Sequence, residues 1–193
     1  MRLLRQRPSA LMVSCLVLLI AGCNRGKSVA ELSKELGDEH RSKRRHAAEE
    51  LRHRGPPAKD AVPALAKALK DSDPKVRRKA AQTLRDMAAG ARDAAPALAE
   101  ALKDSDPKIR HIAASALVRM GPEAKDAVPG LTQALTDPTP QVRLEAARAL
   151  GAIGPNAKEA VPVLRALLKD PNRQVREAAT AALRRIEKSS RHT

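Results

Sequence analysis

The chain has no phenylalanine, tyrosine or tryptophan among its 193 residues. Aromatic rings supply much of the buried area of an ordinary core, so alanine and leucine must carry this one. Aromatic and β-branched residues together are too few for a sheet-based fold. Cysteine is scarce too. Only Cys15 and Cys23 occur, so everything beyond residue 23 must stand without a disulfide. No apolar run reaches the ~20 residues of a spanning helix. The chain also has no glycine-rich phosphate loop, no G-x-S-x-G element and no His-Glu dipeptide. Acidic residues are outnumbered, and the net charge is +15. That balance invites a nucleic-acid or anionic-membrane partner.

The first residues have the layout of an export signal. Arg2, Arg5 and Arg7 precede the apolar stretch ALMVSCLVLLIAG at residues 10–22. The stretch ends Ile20-Ala21-Gly22-Cys23, which resembles the lipobox of bacterial lipoproteins, with Ile in place of the commoner Leu. The resemblance implies cleavage before Cys23 and lipidation of its thiol and new amino terminus. An ordinary signal peptide with an incidental cysteine would share the charge and the run, though not the tetrapeptide. On the lipoprotein reading, residues 1–22 are removed and 23–27 form a tether. The protein is then exported and held at a bacterial membrane by several acyl chains, each CH₂ adding ~0.8 kcal/mol. Inner and outer membrane are not distinguished.

The rest of the chain is periodic. Pro63, Pro96, Pro129 and Pro162 stand 33 residues apart, as do Val76, Ile109, Val142 and Val175, and Leu84, Leu117, Leu150 and Leu183. One step back lie Ala30, Lys43 and Leu51, so a degenerate first unit begins near Ser28. The units are 28–60, 61–93, 94–126, 127–159 and 160–192. Each predicts two helices. Apolar spacing of three and four, as in Val62, Leu65 and Leu69, marks the first. Its proline sits in the first turn, where a missing N–H costs nothing. The second follows a cap position reading His40, Asp73, Asp106, Thr139 and Asn172, four of them good N-caps. Val76, Ala80, Leu84 and Met87 form its buried stripe. Gly55-Pro56, Gly121-Pro122 and Gly154-Pro155 stop three of these helices. A lone hairpin cannot bury its apolar face, so the units must stack. Lys43, where other units have Val or Ile, suits an N-terminal end unit.

The pattern A-V-P-x-L, then D-x-D-P-x-V-R, A-A, A-L and G-P resembles HEAT repeats, most closely the short bacterial kind grouped with phycobilin-lyase HEAT-like repeats. The period is shorter than nominal HEAT length. Ankyrin shares the period, but its T-P-L-H-x-A motif is absent. The resemblance implies an all-α fold, an α-α superhelix of five two-helix repeats. It gives meaning to a pair six residues apart in every unit: Asp38, Asp71, Asp104, Asp137 and Asp170 with Arg44, Arg77, Arg110, Arg143 and Arg176. Such pairs resemble the Asp–Arg ladder that ties HEAT turns to their neighbours through charge-assisted hydrogen bonds. Five copies suit a structural role better than a row of catalytic acids.

Function is expected to be binding, without catalytic residues, metal or cofactor. HEAT-type hydroxylases that bind di-iron use His-Glu pairs, which are missing. His46 and His53, with Glu49 or Glu50, offer at most an adventitious metal site; a metal-dependent enzyme is the least favoured class. Net charge by unit is +1, +4, 0, 0 and +5, with +2 from Arg25 and Lys27. This is no continuous basic track, and no ring is available for base stacking. A basic solenoid binding nucleic acid or another polyanion is therefore the alternative, and a protein or peptide partner the preferred reading. Second helices line the concave side of a solenoid. There Ile112, Val118 and Leu144 are expected to expose an apolar centre flanked by Arg78, Arg85 and Arg148; scattered aliphatics or contacts between hairpins would explain the same residues.

Overall fold

Each hairpin begins with a device that spares backbone N–H groups. In the first unit Ser28 caps α1 (Val29–Glu35) with a reciprocal capping box: Glu31 N–H donates to Ser28 Oγ, and Ser28 N–H to Glu31 Oε2 at 2.6 Å. In later units a proline takes the first turn of the first helix. The computed structural model of the chain describes residues 26–188. The signal stretch 1–22, Cys23 and the tether up to Arg25 lie outside the described residues, as does the end of the last unit.

The order along the chain is α1, α2 (Arg41–Arg54), α3 (Val62–Ala68), α4 (Pro74–Met87), α5 (Ala95–Ala101), α6 (Pro107–Met120), α7 (Val128–Ala134), α8 (Pro140–Ile153), α9 (Val161–Ala166) and α10 (Arg173–Lys188). No strand occurs among the described residues. Odd-numbered helices are the short first helices of the units, and even-numbered ones the long second helices. Units two to five add an element the periodicity alone does not announce. A 3₁₀ turn (Pro56–Ala61, Ala88–Ala94, Gly121–Ala127 or Gly154–Ala160) runs straight into each first helix. Each run kinks at an alanine with non-helical φ/ψ, Ala58, Ala91, Ala124 or Ala157. That alanine and the one three residues on are both buried: Ala58 and Ala61, Ala91 and Ala94, Ala124 and Ala127, and Ala157 and Ala160.

Successive second helices pack along their length, while successive first helices scarcely touch. The second helices thus form the continuous contact of the stack, the side that lines the inner, concave surface of a solenoid. The seam between them is sealed by Val76, Ile109, Val142 and Val175, by Leu51, Leu84, Leu117 and Leu150, and by alanines such as Ala80 and Ala113, all fully buried. Small residues set the approach. A Cβ on Gly151 of α8 would lie 2.9 Å from Ala182 Cα of α10. Lys43 of the first unit is exposed and pairs with Asp38 at 3.0 Å. The charge is tolerated there because, among the described residues, no hairpin stacks on that side of the first unit.

Three of the five cap positions act as caps. Asp73 and Asp106 accept the N–H of Lys75 and Lys108, and Asn172 accepts those of Gln174 and Val175. Thr139, expected to cap α8, makes no such bond; its hydroxyl instead faces Arg110 Nη2 at 3.4 Å. His40 makes none either.

The first four second helices each end on a residue with positive φ. Gly55, Gly121 and Gly154 take φ values of 60°, 59° and 73°, and Ala88 holds the same place at 50°. A side chain there costs of order 1–3 kcal/mol, partly offset because glycine loosens the unfolded chain. Ala88→Gly should therefore stabilise the array by about 1 kcal/mol, raising Tm by roughly 2–4 °C. A thermal melt followed by circular dichroism checks this, and an unchanged or lower Tm refutes it.

Candidate binding surface

The strongest polar feature is built from one aspartate and one arginine per unit, but the two are not each other's ion-pair partners. The first four arginines each reach forward 27 residues. Arg44 grips Asp71 (Nε–Oδ2 2.6 Å, Nη2–Oδ1 3.0 Å), Arg77 grips Asp104 (2.6 and 3.1 Å), Arg110 grips Asp137 (2.7 and 3.1 Å), and Arg143 grips Asp170 (2.8 and 3.0 Å). Within its own unit each arginine donates through Nη1 to the aspartate's backbone carbonyl, at 2.9 Å for Asp38, Asp71 and Asp104. The carboxylates also accept the N–H two residues on, as Asp71 does from Asp73 at 2.8 Å. One guanidinium thus closes its own turn and fastens the next.

The series ends differently at its two limits. Among the described residues no arginine reaches Asp38; the His40 N–H and the Lys43 ammonium hold its carboxyl down at about 2. Arg176 keeps the carbonyls of Asp170 and Pro171 at 2.7 and 3.0 Å but has no carboxylate partner among the described residues. Between them, burial opposes ionisation of Asp104 and Asp137. The hydrogen bonds from Arg77 and Arg110 and from the N–H groups of Asp106 and Thr139 outweigh it, leaving both below the ordinary aspartate value.

The seam and ladder consume the recurring residues. The inner face carries what does not recur: Arg45, Arg78, His111, Leu144 and Glu177 at one register, and Glu49, Gln82, Ser115, Arg148 and Ala181 at another. Arg45 pairs with Asp73 of the next unit. Asp106 stands in the same relation to Arg78, yet among the described residues Arg78 has no carboxylate within ion-pair reach. Glu49 is held at about 2 by Arg52 and Lys79, with His53 3.4 Å away. Its carboxylate is thereby occupied, and His46 lies apart. Among the described residues no group of three or more His, Cys, Asp or Glu side chains gathers in a way that could hold a metal ion.

Two of the clefts on this face include residues expected to bind a partner. The first, ≈ 500 Å³, is lined by Arg78, Gln82, Pro107, Lys108, His111, Ile112, Thr139 and Gln141. The second, ≈ 470 Å³, lies between α6, α8 and α10 and includes Val118, Arg148, Gly151, Glu177 and Arg185. Arg78 and Ile112 thus share one cleft, and Val118 and Arg148 the other. Arg85 and Leu144 line neither; Arg85 is bound to Asp86 at 3.1 Å. The expected exposed apolar centre is corrected. Ile112, one turn from Ile109, is turned into the seam and only 7% exposed, and Val118 and Leu144 are half-buried against the core. What the inner face offers to solvent is mostly charge.

That charge is segregated by helix. The five second helices carry 21 basic and six acidic residues, and the rest of the described chain 11 basic and 16 acidic. Sums over whole units conceal this, because acidic residues outside the second helices offset most or all of their positive charge in the first, third and fourth units. Counting charges helix by helix would have revealed it from the sequence.

The family model of HEAT repeats matches residues 29–118 and 95–184. The chain belongs to the HEAT-repeat family. No curated protein matches it. Among solved structures, an engineered protein is 28% identical, with 91% of this chain and 84% of that one covered and a TM-score of 0.68. The complex of CpcE and CpcF of the phycocyanin lyase from Nostoc sp. PCC7120 is 27% identical, covering 87% of this chain and 68% of that chain, with a TM-score of 0.67. A designed armadillo repeat protein in complex with the peptide (KR)4 shares the fold at 20% identity, covering 89% and 84%, with a TM-score of 0.69. In this HEAT array the ladder is the stabilising polar device. Arg110→Ala strands the nearly buried Asp137 and should cost about 3 kcal/mol, whereas Arg176→Ala loses only carbonyl contacts and should cost about 1 kcal/mol. Because the folded Asp137 sits below its unfolded value near 3.9, the ladder's contribution is complete above about pH 4 and fades as pH falls through the folded value. The stability gap in urea between the Arg110→Ala chain and wild type should narrow progressively as pH falls below 4. Equal costs for the two variants, or a gap independent of pH, would contradict this assignment.

Proposed function

We propose that this HEAT array is a non-catalytic scaffold, lipid-anchored at a bacterial membrane, that holds a protein or peptide on the inner face of its second helices. The observation that carries the reading is the contrast between recurring and non-recurring positions. Five units supply nearly identical backbones, and seam and ladder repeat because each unit needs them. The inner register Arg45, Arg78, His111, Leu144, Glu177 changes at every step but the first. Residues that differ across equivalent, solvent-facing sites answer to something outside the array. Cys23 supplies the anchor in this reading, leaving the array beside the lipid headgroups. Among the described residues no helix is long and apolar enough to cross a membrane. The segregated positive charge also supports a second reading, electrostatic binding of nucleic acid or another polyanion without sequence preference. That mode loses orders of magnitude in affinity as salt rises.

Photo-crosslinking in the native envelope tests the proposal. A photoreactive residue at Gln141, exposed on the inner face, should give discrete protein adducts, and one at Gln133, exposed on a first helix of the same unit, should not. Cys23→Ser should release the chain from the membrane fraction. Equal labelling from both positions, labelling from neither, or adducts only to nucleic acid would defeat the scaffold reading, and a Cys23→Ser chain still sedimenting with membranes would defeat the anchor.

A further inference from the structure

The cleft between α4, α6 and the start of α8 combines three kinds of group. Two cations stand at it without a carboxylate partner among the described residues: Arg78, which makes no ion pair with the capping Asp106 where Arg45 takes the capping Asp73, and Lys108, whose exposed side chain forms no ion pair. The residual exposed edge of Ile112 gives it an apolar floor. Gln82 and Gln141 each present a donor and an acceptor, the pair of functions that an extended backbone offers in return. The surroundings reinforce the sign. Helices α4 and α6 together hold eight basic residues and one acid, Asp86, and that acid is engaged by Arg85 and Arg119 at 3.1 and 3.5 Å.

We propose that this cleft takes an acidic peptide segment of a partner protein, one carboxylate lying between Arg78 and Lys108 and a neighbouring aliphatic side chain resting on Ile112. The inference rests on the binding reading above and narrows it to a partner chemistry. A guanidinium and an ammonium facing one cleft favour a carboxylate strongly over a neutral group. A nucleic acid fits less well. It would gain nothing from an apolar floor, it finds no ring to stack on, and the basic row is interrupted at Gln141, Leu144 and Glu145, so a phosphate backbone would meet a gap between this cleft and Arg148. A flat bilayer cannot reach the inside of a concave face.

The test uses the full chain purified in detergent and a fluorescein-labelled octapeptide of alternating Asp and Leu. Oligo-aspartate of equal length, single-stranded DNA of similar charge and phosphatidylglycerol vesicles serve as competitors. The Asp-Leu peptide should bind saturably and more tightly than oligo-aspartate. Arg78→Ala combined with Lys108→Ala should weaken it about tenfold. Gln174→Ala, outside this cleft on the same face, should leave it unchanged, with circular dichroism confirming that each variant is folded. Should the double variant bind the peptide as wild type does, or DNA or vesicles displace it more readily than unlabelled peptide, the acidic-peptide assignment is overturned. Protein adducts from Gln141 would then still uphold the scaffold, so the two readings fail separately.

Discussion

A guanidinium that closes one turn and fastens the next fixes the geometry of everything else. The turn between the helices of a hairpin exposes carbonyls at a place where the neighbouring unit excludes much of the water. Left unpaired, those groups and the aspartates beside them would be costly. Arginine suits the position because its planar fork can serve a carboxylate with two nitrogens and a carbonyl with the third. The bond lengths vary by only a few tenths of an ångström along the array, so each hairpin meets the next at nearly the same angle. The seam of valine, leucine and alanine supplies burial, and the ladder adds a directional lock on the register of each hairpin against the next.

The composition and the ladder are thus linked. Without aromatic side chains, contact area must come from close approach of small residues, and Gly151 against Ala182 shows how close the helices come. Such packing tolerates little slippage, because a shift of one residue would put a leucine where only an alanine or glycine fits. A polar lock at one end of each hairpin makes the close packing reproducible from unit to unit.

Much of this was legible in the chain itself. A step of 33 residues, the apolar spacing and the capping aspartates locate ten helices and their buried faces. Other features were hidden for definite reasons. Asp and Arg six residues apart suggest a pair within one turn, and spacing alone does not reveal that the carboxylate partner lies 27 residues on. The 3₁₀ turns left a trace in alanines three apart after each Gly-Pro, but a spacing of three is also helical. Thr139 has the chemistry of a cap, yet its hydroxyl turns to Arg110 instead. Ile112 looked exposed because it lies off the main stripe; the seam between second helices is wider than one stripe, and takes it in. The recurring residues, in short, are readable because they answer to the fold. The inner face is less so, since its residues answer to something the chain does not contain.

The charge distribution sharpens that last point. Placing 21 basic residues on five adjacent helices sets like charges against one another, which lowers the stability of the folded array. Part of the repulsion is relieved: Arg45 has Asp73, Arg52 and Lys79 share Glu49, and Arg148 has Glu145. Relief stops at Arg78, although a suitable carboxylate, Asp106, is supplied by the repeat itself. A side chain serving stability alone would be expected to take the partner that its equivalent one unit earlier takes. Arg78 instead faces a cleft with Lys108 opposite no acid, so the cost of two unpaired cations is retained where a ligand could reach them. The surface is best understood as electrostatically incomplete, and a carboxylate from outside the chain would complete it.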